Sequence, residues 1–205
     1  MLDVYKKKLK STFNPSDELI LEAIKIEGTL ISLVPPGRID EKMAYIACEN
    51  NGMAIKCLPK HLITDDLYQI GVKSNPLLIK YMPQRLVSEE LWLDCLNRDA
   101  SIIKELPDEI KTSLTEDQLT AIVQANGDLL QYIPYSQRTG NICLIAAQTY
   151  RKHHPLPFIP KKVKTEEICL TVLAKQDCLG DTWKFIPKKY KRAWELIEVD
   201  YWYWF

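Results

Sequence analysis

The chain has 205 residues, 46% of them hydrophobic, and its 27 basic and 27 acidic side chains cancel to a formal net charge of zero. That apolar content is enough for a real core, while no apolar run approaches the roughly 18 to 20 residues that span a bilayer. A transmembrane segment is therefore not expected, and seven glycines without a Gly/Ser tract argue against a flexible linker.

Residues 1–15 open the chain with a basic run, Lys6, Lys7, Lys8 and Lys10. It reads as a basic arm or, through Leu2, Val4, Tyr5 and Leu9, as a capping helix, and it lacks the apolar stretch of a secretory signal. From Ser16 onward one unit recurs. Its marker is a proline, at Pro35, Pro59, Pro83, Pro107, Pro134, Pro160 and Pro187, with gaps of 24, 24, 24, 27, 26 and 27 residues. A fixed period of this length is the mark of a repeat architecture. Before each proline stands an apolar group: Leu30/Ile31/Val34, Ala54/Ile55/Leu58, Leu78/Ile79/Met82, Ile102/Ile103/Leu106 and Leu129/Leu130/Ile133. Pro155/Leu156/Ile159 and Thr182/Trp183/Ile186 follow with weaker matches. Spacing i, i+1, i+4 predicts one face of a short helix, which the proline then stops.

After the proline comes an oxygen-bearing residue followed by acids, as in Thr64-Asp65-Asp66, Ser88-Glu89-Glu90 and Thr165-Glu166-Glu167. Such residues cap a helix by accepting a free backbone N–H, and carboxylates in the first turn complement its dipole. Ser16-Asp17-Glu18 and Asp40-Glu41 fit the same phase. A three-residue insertion delays the cap to Thr115, and the acids are missing after Thr139. The helices that follow are amphipathic, for example Leu91/Trp92/Cys95/Leu96 and Ile168/Cys169/Val172/Leu173. Gly28, Asn51, Asp99 and Asn126-Gly127 read as helix C-terminal signals. A leucine-rich repeat shares the period, but it needs a strand pattern that these units lack, and acid-rich caps have no purpose before a strand.

Six cysteines carry no metal-ligand spacing, and Cys95, Cys143 and Cys169 fall on apolar repeat positions. They read as reduced, structural thiols, which points to a reducing compartment. Charge is uneven: residues 1–13 carry four lysines against Asp3, residues 14–130 carry 11 basic and 19 acidic side chains, and residues 131–205 carry 12 and 7. The cations of the last third concentrate in two equivalent post-proline turns, Lys161-Lys162-Val163-Lys164 and Lys188-Lys189-Tyr190-Lys191-Arg192. Stacked repeats would set these side by side as a ridge for an acidic protein or for phosphate groups. The plainer reading is complementation of helix C-termini. The chain closes Tyr201-Trp202-Tyr203-Trp204-Phe205, preceded by Trp194. These aromatics read as an end cap or as interface anchors.

No nucleotide-binding, zinc-protease or serine-hydrolase motif is present. Cys178 with His153 or His154 is a candidate nucleophile pair only by proximity, and the paired acids sit where helix starts want them.

The segments YMPQRLVSEELWLDCL, ELPDEIKTSLTEDQLTAIV and FIPKKVKTEEICLTVL resemble a family of tandem short helical repeats found in bacterial secreted effectors, a family without an agreed activity. The likeness runs from about Ser16 to Leu196 and transfers no catalytic residue. It implies a bacterial effector or a toxin-neutralising partner. The expectation is an all-α chain, an α-solenoid of about seven helix-turn-helix repeats of 24–27 residues, forming a single domain over 1–205 (basic arm or cap 1–15, repeats 16–187, aromatic cap 188–205). Its expected role is a non-enzymatic scaffold without cofactor or metal, binding a protein partner in the bacterial or host cytoplasm. Binding would use Lys161, Lys162, Lys188, Lys189, Arg192, Trp194, Tyr201 and Trp202. The alternative is an adaptor for anionic lipid headgroups, with nucleic acid ranked below.

Overall fold

The computed structural model describes residues 2–12, 14–175 and 182–191. The chain is all-α: the described residues form helices and turns, with no strand among them. It divides into two compact units, Met1–Ile102 and Ile103–Phe205.

In the first unit, α1 (Leu2–Ser11) packs on α2 (Asp17–Ile26) and buries Leu9. The helices α3 (Glu41–Asn50), α4 (Asp65–Ser74) and α5 (Glu89–Arg98) follow, each ten residues long. Side chains of Ser16, Asp40, Thr64 and Ser88 accept the backbone N–H three residues on, at 2.7–3.3 Å, as the cap pattern predicts. Each such cap contributes roughly 0.5–2 kcal/mol.

The short helix before each proline is a 3₁₀ helix: Gly28–Leu33, Gly52–Cys57 and Pro76–Tyr81. Three residues per turn place Ile79 and Met82 on one line, and the apolar groups of these segments are all buried. Each proline then adopts an extended backbone and opens a three-residue 3₁₀ turn, Pro36–Arg38, Lys60–Leu62 and Gln84–Leu86, that leads to the next cap. Along the first unit α2 packs on α3 and α3 on α4, while the 3₁₀ helices form a second row beside them.

The residues between α-helix and 3₁₀ helix differ from the expected C-terminal signals. No described residue has a positive φ. Glu27, Asn51, Asn75 and Asp99 are extended, with φ from −142° to −151°, and their side chains cap the 3₁₀ helix by accepting an N–H two residues on. They also form a ladder: Asn75 donates to Asn51 at 3.3 Å, and Asn51 donates to Glu27 at 3.0 Å. Glycine follows Glu27 and Asn51, where two backbones nearly touch. A Cβ on Gly28 would lie 2.1 Å from the Ala47 carbonyl oxygen, and one on Gly52 would lie 1.9 Å from that of Gly71.

A second link joins successive repeats. The last residue of α3, α4 and α5 donates to carbonyls at the end of the helix before it, where no intrahelical partner exists. Asn50 reaches Lys25 O at 2.8 Å, Ser74 reaches Cys48 O at 2.8 Å, and Arg98 reaches Val72 O and Lys73 O at 2.6 and 2.7 Å.

The second unit repeats the scheme over α7 (Glu116–Ala125), α8 (Gly140–Thr149) and α9 (Glu166–Leu173), capped by Thr115, Thr139 and Thr165. The three-residue insertion turns the post-proline segment into α6 (Asp108–Ser113). The acid missing after Thr139 is replaced from the preceding repeat, since the Thr139 hydroxyl donates to Glu116 at 2.9 Å. Thr149 reaches Val123 O at 2.5 Å and Lys175 reaches Gln148 O at 2.7 Å, in register with Asn50, Ser74 and Arg98.

Gly52→Ala is expected to destabilise the protein by about 1–3 kcal/mol through backbone collision. Gly37→Ala, where a Cβ meets nothing within 4 Å, is expected to change stability by less than about 0.5 kcal/mol. Urea unfolding of the two variants checks both expectations.

Candidate functional site

Sequence reasoning expects cations to gather in the last third of the chain, and the second unit places them. The positions directly after Pro134, Pro160 and Pro187 are equivalent, and they hold Tyr135, Lys161 and Lys188. All three line one cleft of about 550 Å³. Lys164, Lys184 and Lys189 complete its charged lining, and no carboxylate is among the described lining residues. Its walls are apolar: Pro157, Ile159, Phe185, Ile186 and Pro187, with the exposed Tyr135 ring at one end.

The lysines are not equivalent. Lys161 lies in the 3₁₀ turn Lys161–Val163 and Lys188 directly follows Pro187, and neither side chain bonds to a described residue. Lys189 lies over the Tyr190 ring at 4.4 Å and Lys184 over Phe185 at 5.3 Å. Lys164 belongs to the scaffold. Its ammonium donates to Leu156 O at 2.8 Å and Phe185 O at 3.2 Å, tying two successive repeats together beneath the cleft. Burial pushes its pKa down, and the neighbouring Lys161 charge pushes it the same way. Arg138, the equivalent residue one repeat earlier, donates to Ile133 O, Gln131 O and Phe158 O at 2.9, 3.1 and 2.5 Å, and burial lowers its pKa too. In the first unit the same position is Ile39, Ile63 or Val87.

Of the expected site residues, Lys161, Lys188 and Lys189 come together. Lys162 is exposed on the same turn but does not line the cleft. Arg192, Trp194, Tyr201 and Trp202 lie outside the described residues, as does Cys178. The expected binding set left out Tyr135, Lys184 and the apolar walls, and it left out Lys164 although that residue stands in one of the two cationic turns. Lys164 carried a readable signal, being a cation where the first three repeats place an aliphatic side chain. Lys184 carried none, because Lys56, Lys80 and Lys104 occupy the same repeat position.

The Arg151–His154 interruption is held from below. Asp128 accepts the backbone N–H groups of Arg151, Lys152 and His153 at 3.2 Å each. Burial pushes the Asp128 carboxyl up, but these donors outweigh it and leave the pKa below the ordinary value. His153 is exposed, and the His154 ring packs against Phe185 with centroids 5.6 Å apart. The five described cysteines are free thiols. Burial pushes Cys48 up to about 12 and Cys143 up to about 11, so these two stay protonated and unreactive at neutral pH. A second cleft, of about 230 Å³ in the first unit, has the opposite character, with Glu41 and Asp66 beside Tyr45 and Leu62.

No protein family, curated protein or solved structure matches the chain.

Because the Asp128 pKa is depressed in the folded state, its carboxylate stabilises the fold above the unfolded value and loses that contribution as pH falls through the folded pKa. Asp128→Asn should therefore melt below wild type at neutral pH. The gap should close as pH drops below about 4, the ordinary carboxylate range. Thermal melts of both proteins across that window test it.

Proposed function

We propose that the chain is a non-enzymatic scaffold for protein–protein interaction, its repeats continuing as an α-solenoid, with recognition centred on the lysine cleft of the second unit. The observation that carries this reading is a cleft lined by five lysines and apolar walls, with no carboxylate among its described lining residues. Lys161 and Lys188, which bond to no described residue, attract an acidic surface, and adjoining apolar walls give such a partner surface to bury. A scaffold rather than an enzyme is favoured by thiols locked in the protonated form and by histidines used in packing or left exposed. The resemblance to effector repeats makes a bacterial or host cytoplasm the proposed setting.

An affinity capture from bacterial and host-cell lysates, read by mass spectrometry, tests the reading. Wild type should retain a discrete protein that a Lys161→Glu/Lys188→Glu variant loses. A protein retained equally by both would move recognition away from the cleft. Loss of anionic vesicles or nucleic acid, with no protein involved, would favour the phosphate-adaptor alternative.

A further inference from the structure

We infer that the cleft takes an extended acidic peptide segment that lies across successive repeats and seats one bulky apolar side chain between its carboxylates. This rests on the interaction-scaffold reading above and specifies the partner's chemistry.

Three features lead to it. Lys161 and Lys188 occupy the same position in adjacent repeats, so the two unpaired ammonium groups stand one repeat apart along the direction in which the repeats succeed each other. Between them the walls are apolar, from Pro157 and Ile159 on one repeat to Phe185 and Pro187 on the next. A small inorganic anion would leave those walls uncovered, whereas a segment with an aromatic or aliphatic residue between acids covers them. The third feature is Lys164. Its ammonium is committed to the Leu156 and Phe185 carbonyls, so it fixes the separation of the two walls and is not free to fold over a point charge. Two exposed ammonium groups, at Lys161 and Lys188, beside an apolar slot match a segment with acids outside and an apolar anchor at the centre.

The test uses the full chain and three fluorescent peptides read by anisotropy at physiological salt. One has glutamates flanking a central Phe, one replaces that Phe with Gly, and one replaces the glutamates with Gln. The Glu/Phe peptide should bind. Replacing Phe by Gly should weaken it at least about fivefold. Lys161→Glu and Lys188→Glu should each weaken it roughly two- to fivefold or more, being reversals of rim charge. Lys162→Glu, the same charge change on the same turn but outside the cleft, should leave affinity within about twofold. All three lysines are exposed, and unchanged circular dichroism confirms that the variants fold.

Equal binding of the Phe and Gly peptides overturns the inference, as does equal loss on Lys162→Glu, because either result makes the contact one of bulk charge. Absence of peptide binding also overturns it, including the case where inositol hexaphosphate or phosphatidylserine vesicles bind instead. If the peptides fail while lysate capture still depends on Lys161 and Lys188, the scaffold reading stands and the extended-peptide inference falls.

Discussion

Short helices are expensive to terminate, and the rest of this structure follows from that. A helix end leaves four N–H or four C=O groups without partners, so in a ten-residue helix most backbone polar groups near the ends need help from outside. Isolated helices of this length are marginal in water. Here the N-terminal donors are met by Ser, Thr or Asp side chains at each α-helix start from Ser16 to Thr165 except that of α6, which follows Pro107 without a side-chain cap. The C-terminal acceptors are met by the next repeat, through Asn50, Ser74, Arg98, Thr149 and Lys175. Five different side chains serve one position because the requirement is only a donor of sufficient reach. Each repeat is thus completed by its neighbour within a unit.

The same constraint explains how the candidate cleft arises. The 3₁₀ helices also end with exposed carbonyls, and in the second unit Arg138 and Lys164 donate to them where the first unit places aliphatic side chains. A cation committed in this way ties two repeats together and suffers desolvation, which is why both pKa values fall. Lys164 bridges Leu156 and Phe185 at the cleft, while Lys161 and Lys188 line the same cleft and bond to no described residue. A lysine bound to backbone carbonyls and one that bonds to no described residue therefore sit three residues apart, at Lys164 and Lys161.

Much of this was legible in the sequence. The proline spacing located each repeat, the Ser/Thr/Asp–acid pairs located each helix start, and the apolar triples named residues that are buried in every repeat. Two readings needed geometry. The apolar triples belong to 3₁₀ rather than α-helix, because a five- or six-residue segment between an extended cap and a proline has too few residues for the wider helix to repay its first turn. Gly28, Asn51, Asp99 and Asn126-Gly127 read as helix C-terminal signals, but no left-handed residue occurs among the described ones. The glycines permit backbone contact across repeats, and Asn51 joins a side-chain ladder while Asn126 caps the next 3₁₀ helix.

The sequence by itself determined the period, the helical class, the caps and the core, since each rests on interactions within about one repeat of the chain. It also marked Lys161, Lys188 and Lys189 as an unusual accumulation of charge. Which lysine is free and which is bound was decided only by the tertiary structure. Lys164 and Lys161 have the same chemistry, and they differ in whether a carbonyl some 21 residues along the chain, at Phe185, lies within hydrogen-bonding distance. Contact across repeats sets that distance, and no local pattern of residue types encodes it.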